Sequence, residues 1–233
     1  MKHPILIIVT AIIITFTTTV PAFALTSAEQ TRLTNIITKG SQEIDRRVSA
    51  LNAASTVIDK TEKLAAGDRQ MLNAEVASSI SGLSTLKTKL SAETTLGAAR
   101  TDAQSILTGY RVYALLLPKV RLVKVADGQI ALEAKFTALS AKFLERFAEL
   151  KAAGRDTVSL EATLSTMNTK VTDAEAISTA IQAKVIALQP SDYNADHTIL
   201  SGDRDQLKVA HDKLVSARKD AKTIVDGIKS LAA

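Results

Sequence analysis

Apolar residues recur along this chain at steps of three and four. That spacing lines them up on one stripe of an α-helix facing a partner helix. Leu33, Ile37, Ile44, Val48, Leu51 and Ile58 form the first stripe, with Arg46 and Arg47 expected to face away from it. Leu72, Val76, Ile80 or Leu83, Leu86 and Leu90 form the second. Leu96, Ile106, Tyr110, Tyr113 and Leu117 form a third, and Leu132, Phe136, Leu139, Phe143, Phe147 and Leu150 a fourth. A fifth runs through Leu160, Leu164, Met167, Val171, Ala174, Ile181, Val185 and Leu188. The last, Leu200, Leu207, Ala210, Leu214, Ala217, Ala221, Ile224, Ile228 and Leu231, keeps a strict heptad register. The pattern predicts an all-α protein, an elongated antiparallel helical bundle or coiled coil.

Local signals divide these stripes. Thr26 with Glu29, and Ser27 with Gln30, have the spacing of a capping box and open the first helix. In Leu64-Ala-Ala-Gly67-Asp68, Gly67 is expected to supply the left-handed residue that ends the first helix, and Asp68 to cap the second. Ser91–Thr95 is a weaker break. Lys151-Ala-Ala-Gly154-Arg-Asp156 ends a helix in the manner expected of the first stop. The two Ala-Ala-Gly stops are offset by 87 residues, and Val48–Ala53 resembles Phe136–Ala141 at an offset of 88. This is either a tandem three-helix repeat or the chance likeness of alanine-rich helices. Pro190 is expected to end a helix, with Ser191–Asp196 as a turn. The segments 119–153, 156–189 and 197–231 match in length, as a three-helix bundle requires. Segments 29–66, 68–91 and 95–117 supply a second bundle.

The two bundles are expected to meet at Tyr110-Arg-Val-Tyr-Ala-Leu-Leu-Leu-Pro118, the longest apolar run beyond the N-terminus. Tyr110, Tyr113, Leu116, Leu117 and Pro118 are its buried structural centre. Pro118 lacks a backbone donor and crowds the carbonyl of Ala114, so it kinks the helix or restarts it. Lys119–Val125 alternates partly and has a strand as its alternative; the want of a pairing segment favours helix. Domain boundaries follow: 25–117 for an N-terminal bundle and 118–233 for a C-terminal one, sharing a long helix in the manner of spectrin-like repeats.

The first 24 residues read differently. Met1-Lys2-His3 is basic, Pro4–Val20 is apolar, and Pro21-Ala-Phe-Ala24 has the small-x-small end of a cleavable signal peptide. A retained anchor is the alternative, but the apolar core is shorter than the roughly 18–20 residues that span a bilayer. The expected product is exported, to the periplasm or outside the cell. It contains no cysteine, so neither disulfides nor a lipidated cysteine can hold it, and its core must suffice.

Composition and charge narrow the function more than they define it. Residues 25–117 carry 11 basic and 9 acidic side chains, and residues 118–233 carry 17 and 15. Charge so evenly spread does not favour nucleic acid. Aromatics are 3% and tryptophan is absent, which leaves few platforms for sugars or quaternary amines. No metalloprotease, serine-hydrolase or phosphate-loop motif and no cysteine nucleophile is present. Asp192-Tyr-Asn194-Ala-Asp196 matches the first ligand positions of a calcium loop, and Asp203 falls at the twelfth. His197 stands where that loop needs glycine, and a turn capping the final helix explains the same residues without metal. His197 and His211 would lie about 21 Å apart on one helix, too far to share an ion. Arg111, Lys119, Arg121 and Lys124 flank the apolar centre and suit anionic lipid or cell-wall polymer, or side chains reaching from a buried stripe to water.

At Tyr110–Pro118 and Asp192-Tyr-Asn-Ala-Asp-His197 the chain resembles exported helical proteins of ultrasmall candidate-phylum bacteria. That resemblance implies a bacterial origin and no activity. The expected function is therefore non-enzymatic, without a cofactor: a structural, envelope or protein-interaction role, with another protein or an envelope component as partner. Alternatives are a membrane-active protein that opens its apolar centre on lipid, or a calcium-dependent binding module using residues 192–203.

Overall fold

The computed structural model describes residues 25–232; the expected signal peptide, residues 1–24, lies outside them. Seven α-helices follow one another among the described residues, with no strand: α1 Ser27–Lys60, α2 Ala66–Ser91, α3 Leu96–Thr108, α4 Leu117–Ala152, α5 Val158–Ala187, α6 Pro190–Ala195 and α7 Asp203–Ala232. The fold is an all-α helical bundle. α1, α2 and α3 pack on one another, and α4, α5 and α7 form a second group. At 1.5 Å per residue, α4 is roughly 50 Å long.

The stripes of threes and fours are the seams. Leu33, Ile44, Leu51 and Ile58 of α1 meet Leu72, Val76, Leu83 and Leu90 of α2 in one apolar core. In the second group every residue expected on α5, from Leu160 to Val185, is buried, and so are Leu207 to Ile224 of α7. Close approach explains Gly40: a Cβ there would lie 2.5 Å from Leu90 Cδ2 and 3.4 Å from Ile106 Cδ1. Gly40→Val is expected to cost about 1–3 kcal/mol by overpacking this three-way contact; a urea midpoint equal to wild type would refute that packing role.

Ion pairs register the antiparallel neighbours. Lys170–Asp220 (2.6 Å), Lys213–Asp173 (2.8 Å) and Lys184–Asp203 (2.9 Å) step down α5 as they step up α7. Lys87–Asp45 at 2.6 Å does the same for α1 and α2.

Several boundaries differ from the sequence expectation, each for a local reason. Thr26 and Glu29 do form the capping box. Gly67, however, lies within the first turn of α2 and is not left-handed; α1 has already stopped at Lys60. Arg69 does the capping instead. Its guanidinium donates to the carbonyls of Ile58 (2.9 Å), Asp59 (2.6 Å) and Thr61 (2.7 Å). Asp68 does not cap α2; its side chain is buried against other helices. At the second stop Gly154 does take the left-handed conformation, with φ 76°. The two Ala-Ala-Gly stretches thus have opposite roles, one opening a helix and one closing it. α5 does end just before Pro190, at Ala187, but the stretch after it is the short helix α6 and not the expected turn; Pro190 opens it, because a proline fits the first turn, where no donor is needed. α7 consequently begins at Asp203, not near residue 197.

The central stretch is divided rather than continuous. α3 ends at Thr108, and Arg111 adopts a left-handed conformation, φ 42° and ψ 37°. A π-turn, Val112–Leu116, then leads into α4, with the Leu117 N–H donating to the Val112 carbonyl five residues back. This wide turn directly precedes Pro118, which a regular helix would press against the Ala114 carbonyl. Leu116 is buried, while Tyr110, Leu117 and Pro118 are half-buried. Tyr113 corrects the expectation of a wholly buried centre: it is 47% exposed and lies over the Arg47 guanidinium, 5.0 Å from the ring centroid. Arg47 corrects another, since it is buried and not outward-facing. It pairs with Glu43, and burial holds its pKa below the ordinary arginine value against the opposing influence of Tyr113. One apolar cluster spans the whole join: Val120, Val123 and Ala126 of α4, Ile181 and Val185 of α5 and Leu207 of α7 belong to the same core as α1 and α2.

Candidate functional site

The polar side chains withdrawn from water concentrate where α4 crosses between the two helix groups. Four residues of α4 carry them: Lys119, Asp127, Gln129 and Glu133, all buried. They interrupt the apolar period, so burial sets them into seams otherwise filled by leucine and valine.

Lys119 is 0% exposed. Its Nζ donates to Glu75 Oε1 (3.0 Å) and Oε2 (2.8 Å) on α2, and to the carbonyls of Ile186 (3.4 Å) and Leu188 at the end of α5. One ammonium thus ties three helices and satisfies carbonyls that α5 leaves without intrahelical partners. The expectation that Lys119 reaches out to water or lipid is corrected here. A buried charge is tolerated only when paired and hydrogen-bonded in this way.

Asp127 lies about two helical turns beyond it on α4. Its Oδ2 accepts from the Ala65 N–H at 2.7 Å, and Asp68 of α2 stands beside it. Burial, with the Asp68 carboxylate adding repulsion and the Ala65 bond opposing, raises the Asp127 pKa to about 6. Gln182 of α5 donates to the other side of the pair, at Asp68 Oδ2. Further along, Gln129 Nε2 donates to the Leu207 carbonyl of α7 at 2.8 Å. The Ser178 hydroxyl of α5 lies 2.9 Å from Gln129 Oε1 and 3.1 Å from Glu133 Oε1. Glu133 Oε2 has no hydrogen-bond partner among the described residues. Burial raises the Glu133 pKa, the Ser178 bond opposes this, and Glu175 adds to it.

Outside this belt a cleft opens between α4, α7 and the α1–α2 turn. Leu122, Val125, Gln129 and Leu207 line its α4–α7 arm, of about 520 Å³, together with Arg204, Asp205, Lys208 and His211. The other arm, of about 570 Å³, runs from Val125, Gln129 and His211 past Gly128 and Leu132 to Lys60, Glu62 and Lys63. Leu132, expected in the seam of α4, faces this cleft instead and is 38% exposed. A separate groove of about 670 Å³ lies between α4 and α5 around Phe147, Leu164 and Asn168.

The calcium candidates do not converge. Asp192 accepts from the Gln189 N–H at 2.8 Å and caps α6. Asn194 accepts from Arg111 Nε (2.6 Å) and donates to the Thr108 carbonyl (2.9 Å). Asp196 accepts from the Thr198 N–H (2.8 Å) and hydroxyl (2.6 Å), and Asp203 pairs with Lys184. The helical conformation of α6 is the cause, since residues two apart on a helix point to different sides. Among the described residues no three histidine, aspartate or glutamate side chains are grouped to hold a metal ion. Nor does the Asp192–Asp196 stretch cap the final helix. It fastens the α5–α7 connection to the α3–α4 join: Arg111 lies 5.4 Å from the Tyr193 ring centroid, and the His197 ring lies 5.1 Å from the same ring, tilted to it. His197 sits in the turn after α6 and His211 on α7, so they do not share one helix. Arg111, Lys119, Arg121 and Lys124 likewise form no common face, being spread over the clasp, the core and two exposed positions.

Sequence reasoning missed the belt. Its one available signal was polar residues standing at core positions of α4, Lys119 and Glu133 among them. The chain matches no protein-family model, no curated protein and no solved structure. Among the described residues no helix is long and apolar enough to cross a membrane.

Proposed function

We propose that the protein is a non-enzymatic extracytoplasmic helical-bundle protein with a structural or protein-interaction role at the cell envelope. The observation that carries this reading is where the perturbed carboxyls lie. Asp127 and Glu133 are bonded into helix seams by Ala65 and Ser178, and neither lines either arm of the open cleft. Catalytic acids and bases need a perturbed group with access to substrate. Export is proposed from the charged, apolar and Pro21-Ala-Phe-Ala24 order of the N-terminus.

The test is fractionation of the full chain in a bacterial host. The expected product is extracytoplasmic and begins at Leu25. The purified product should bind isolated envelope saturably, through a protease-sensitive component, and leave anionic vesicles intact. A product retained in the cytoplasm would sink the export half of the reading. Vesicle leakage would replace it with a membrane-active one.

A further inference from the structure

We propose that the cleft between α4, α7 and the α1–α2 turn is a docking groove for an acidic amphipathic helix of a partner protein. The inference rests on the interaction role above and names the partner's chemistry. Three observations point the same way.

The first is periodicity. Val125, Gly128 and Leu132 follow one another along α4 at steps of three and four. This is the rhythm of the seams that pair helices elsewhere in the molecule, but here no helix covers it. Val125 is 47% exposed and Leu132 38%. Such a stripe has the shape to receive another helix. From Leu122 to Leu132 it runs about three helical turns.

The second is Gly128. A glycine inside a long helix is unfavourable relative to alanine, and each needs a local reason. Gly40 has one in the approach of Leu90. At Gly128 a Cβ would meet nothing within 4 Å. Nothing in the described chain uses the missing side chain. A partner backbone crossing α4 at that point would use it, since small residues let helices approach closely.

The third is charge. Lys60, Lys63, Lys124, Arg204 and Lys208 surround the floor, against Glu62 and Asp205. None of these five basic side chains forms a salt bridge among the described residues. The rim is therefore complementary to glutamate and aspartate flanking an apolar stripe. The Gln129–Leu207 bond joins α4 to α7 across the floor of the groove.

The experiment measures binding of synthetic helices to the purified chain from residue 25 onward by fluorescence anisotropy. One probe, about three heptads long, carries leucine at the seam positions and glutamate at the others; a matched probe carries lysine for glutamate. The glutamate probe is expected to bind and to be released by salt, and the lysine probe not to bind. Gly128→Leu, and separately Lys124→Glu with Lys208→Glu, should weaken binding about tenfold or more. Gly128→Ala should raise the melting temperature while weakening binding, a combination that a purely structural glycine would not give.

Equal binding of both probes, or undiminished binding by Gly128→Leu and by the double charge variant, overturns the proposal. So does preferential capture of anionic vesicles over the glutamate probe, which would make the groove a lipid site. A dimer in sedimentation that Gly128→Leu dissolves also overturns it, by assigning the groove to a second copy of this chain. Envelope binding separates the two levels of inference. If wild type and Gly128→Leu bind envelope equally, the groove assignment fails and the interaction role stands; if wild type does not bind envelope, the role itself fails.

Discussion

Replacing Lys119 by alanine is expected to lower the free energy of unfolding by about 3–5 kcal/mol, the range for breaking a buried, hydrogen-bonded ion pair. The variant removes the ammonium but leaves its acceptors in place. Glu75 keeps part of its access to water, with its side chain 24% exposed, and can rehydrate in part. The carbonyls of Ile186 and Leu188 have less freedom, because Val185 and Leu188 hold the end of α5 in the core. Lost packing of the four-carbon stem adds to the cost. Lys119→Met tests the division between the two effects. It restores the stem without the charge, and should recover part of the loss, leaving the share due to orphaned acceptors. Urea unfolding of both variants reads this directly. If Lys119→Ala costs under about 1 kcal/mol, the ammonium behaves as a surface charge and its role as a three-helix tie is wrong.

Asp127→Asn is expected to stabilise the protein at neutral pH, by up to about 2–3 kcal/mol. The sign follows from the direction of its shift. The Asp127 pKa rises from 3.8 to about 6 on folding, so between those values the folded state holds a proton that the unfolded state has lost. Stability therefore falls as pH rises through that window and is level above it. Below pH 3.8 both states are protonated and this residue contributes no penalty. Asparagine removes the ionisation, can still accept from Ala65 through its Oδ1, and offers Nδ2 to Asp68. The two proteins should be equally stable near pH 3.5 and differ most above pH 6. Glu133, raised in the same direction by burial, remains in the variant and leaves a residual slope. A stability difference that is the same at pH 3.5 and pH 7.5 would show that proton linkage at Asp127 is not the cause.

Both predictions concern residues whose importance the sequence conceals. Helical period depends only on which positions are apolar, so the seams of α1, α2, α5 and α7 were legible from leucine and isoleucine spacing. Thr26 and Gly154 were legible because a capping box and a left-handed stop are local chemistry. Gly67 was misread for a complementary reason. The same Ala-Ala-Gly triplet ends a helix only if the chain has not already stopped, and Arg69, reaching back to three carbonyls, stopped it earlier. Lys119 and Glu75 are 44 residues apart, and Asp68 and Gln182 are 114 apart. Such pairs declare themselves only when tertiary packing brings them together. Tyr113 illustrates the opposite error: an aromatic in an apolar run is exposed here because the π-turn rotates it away from the core and over Arg47.

The continuity of the core past Pro118 has a practical corollary for anyone dissecting the molecule. Severing the chain between Leu117 and Pro118 would strip the first fragment of the valines at 120 and 123 and of the lysine that Glu75 grips. The second fragment would be left with Ile181, Val185 and a naked Asp127 open to water. Neither piece should survive alone as a well-ordered species. Calorimetry of the intact chain should accordingly show one melting event, in which both halves are lost together.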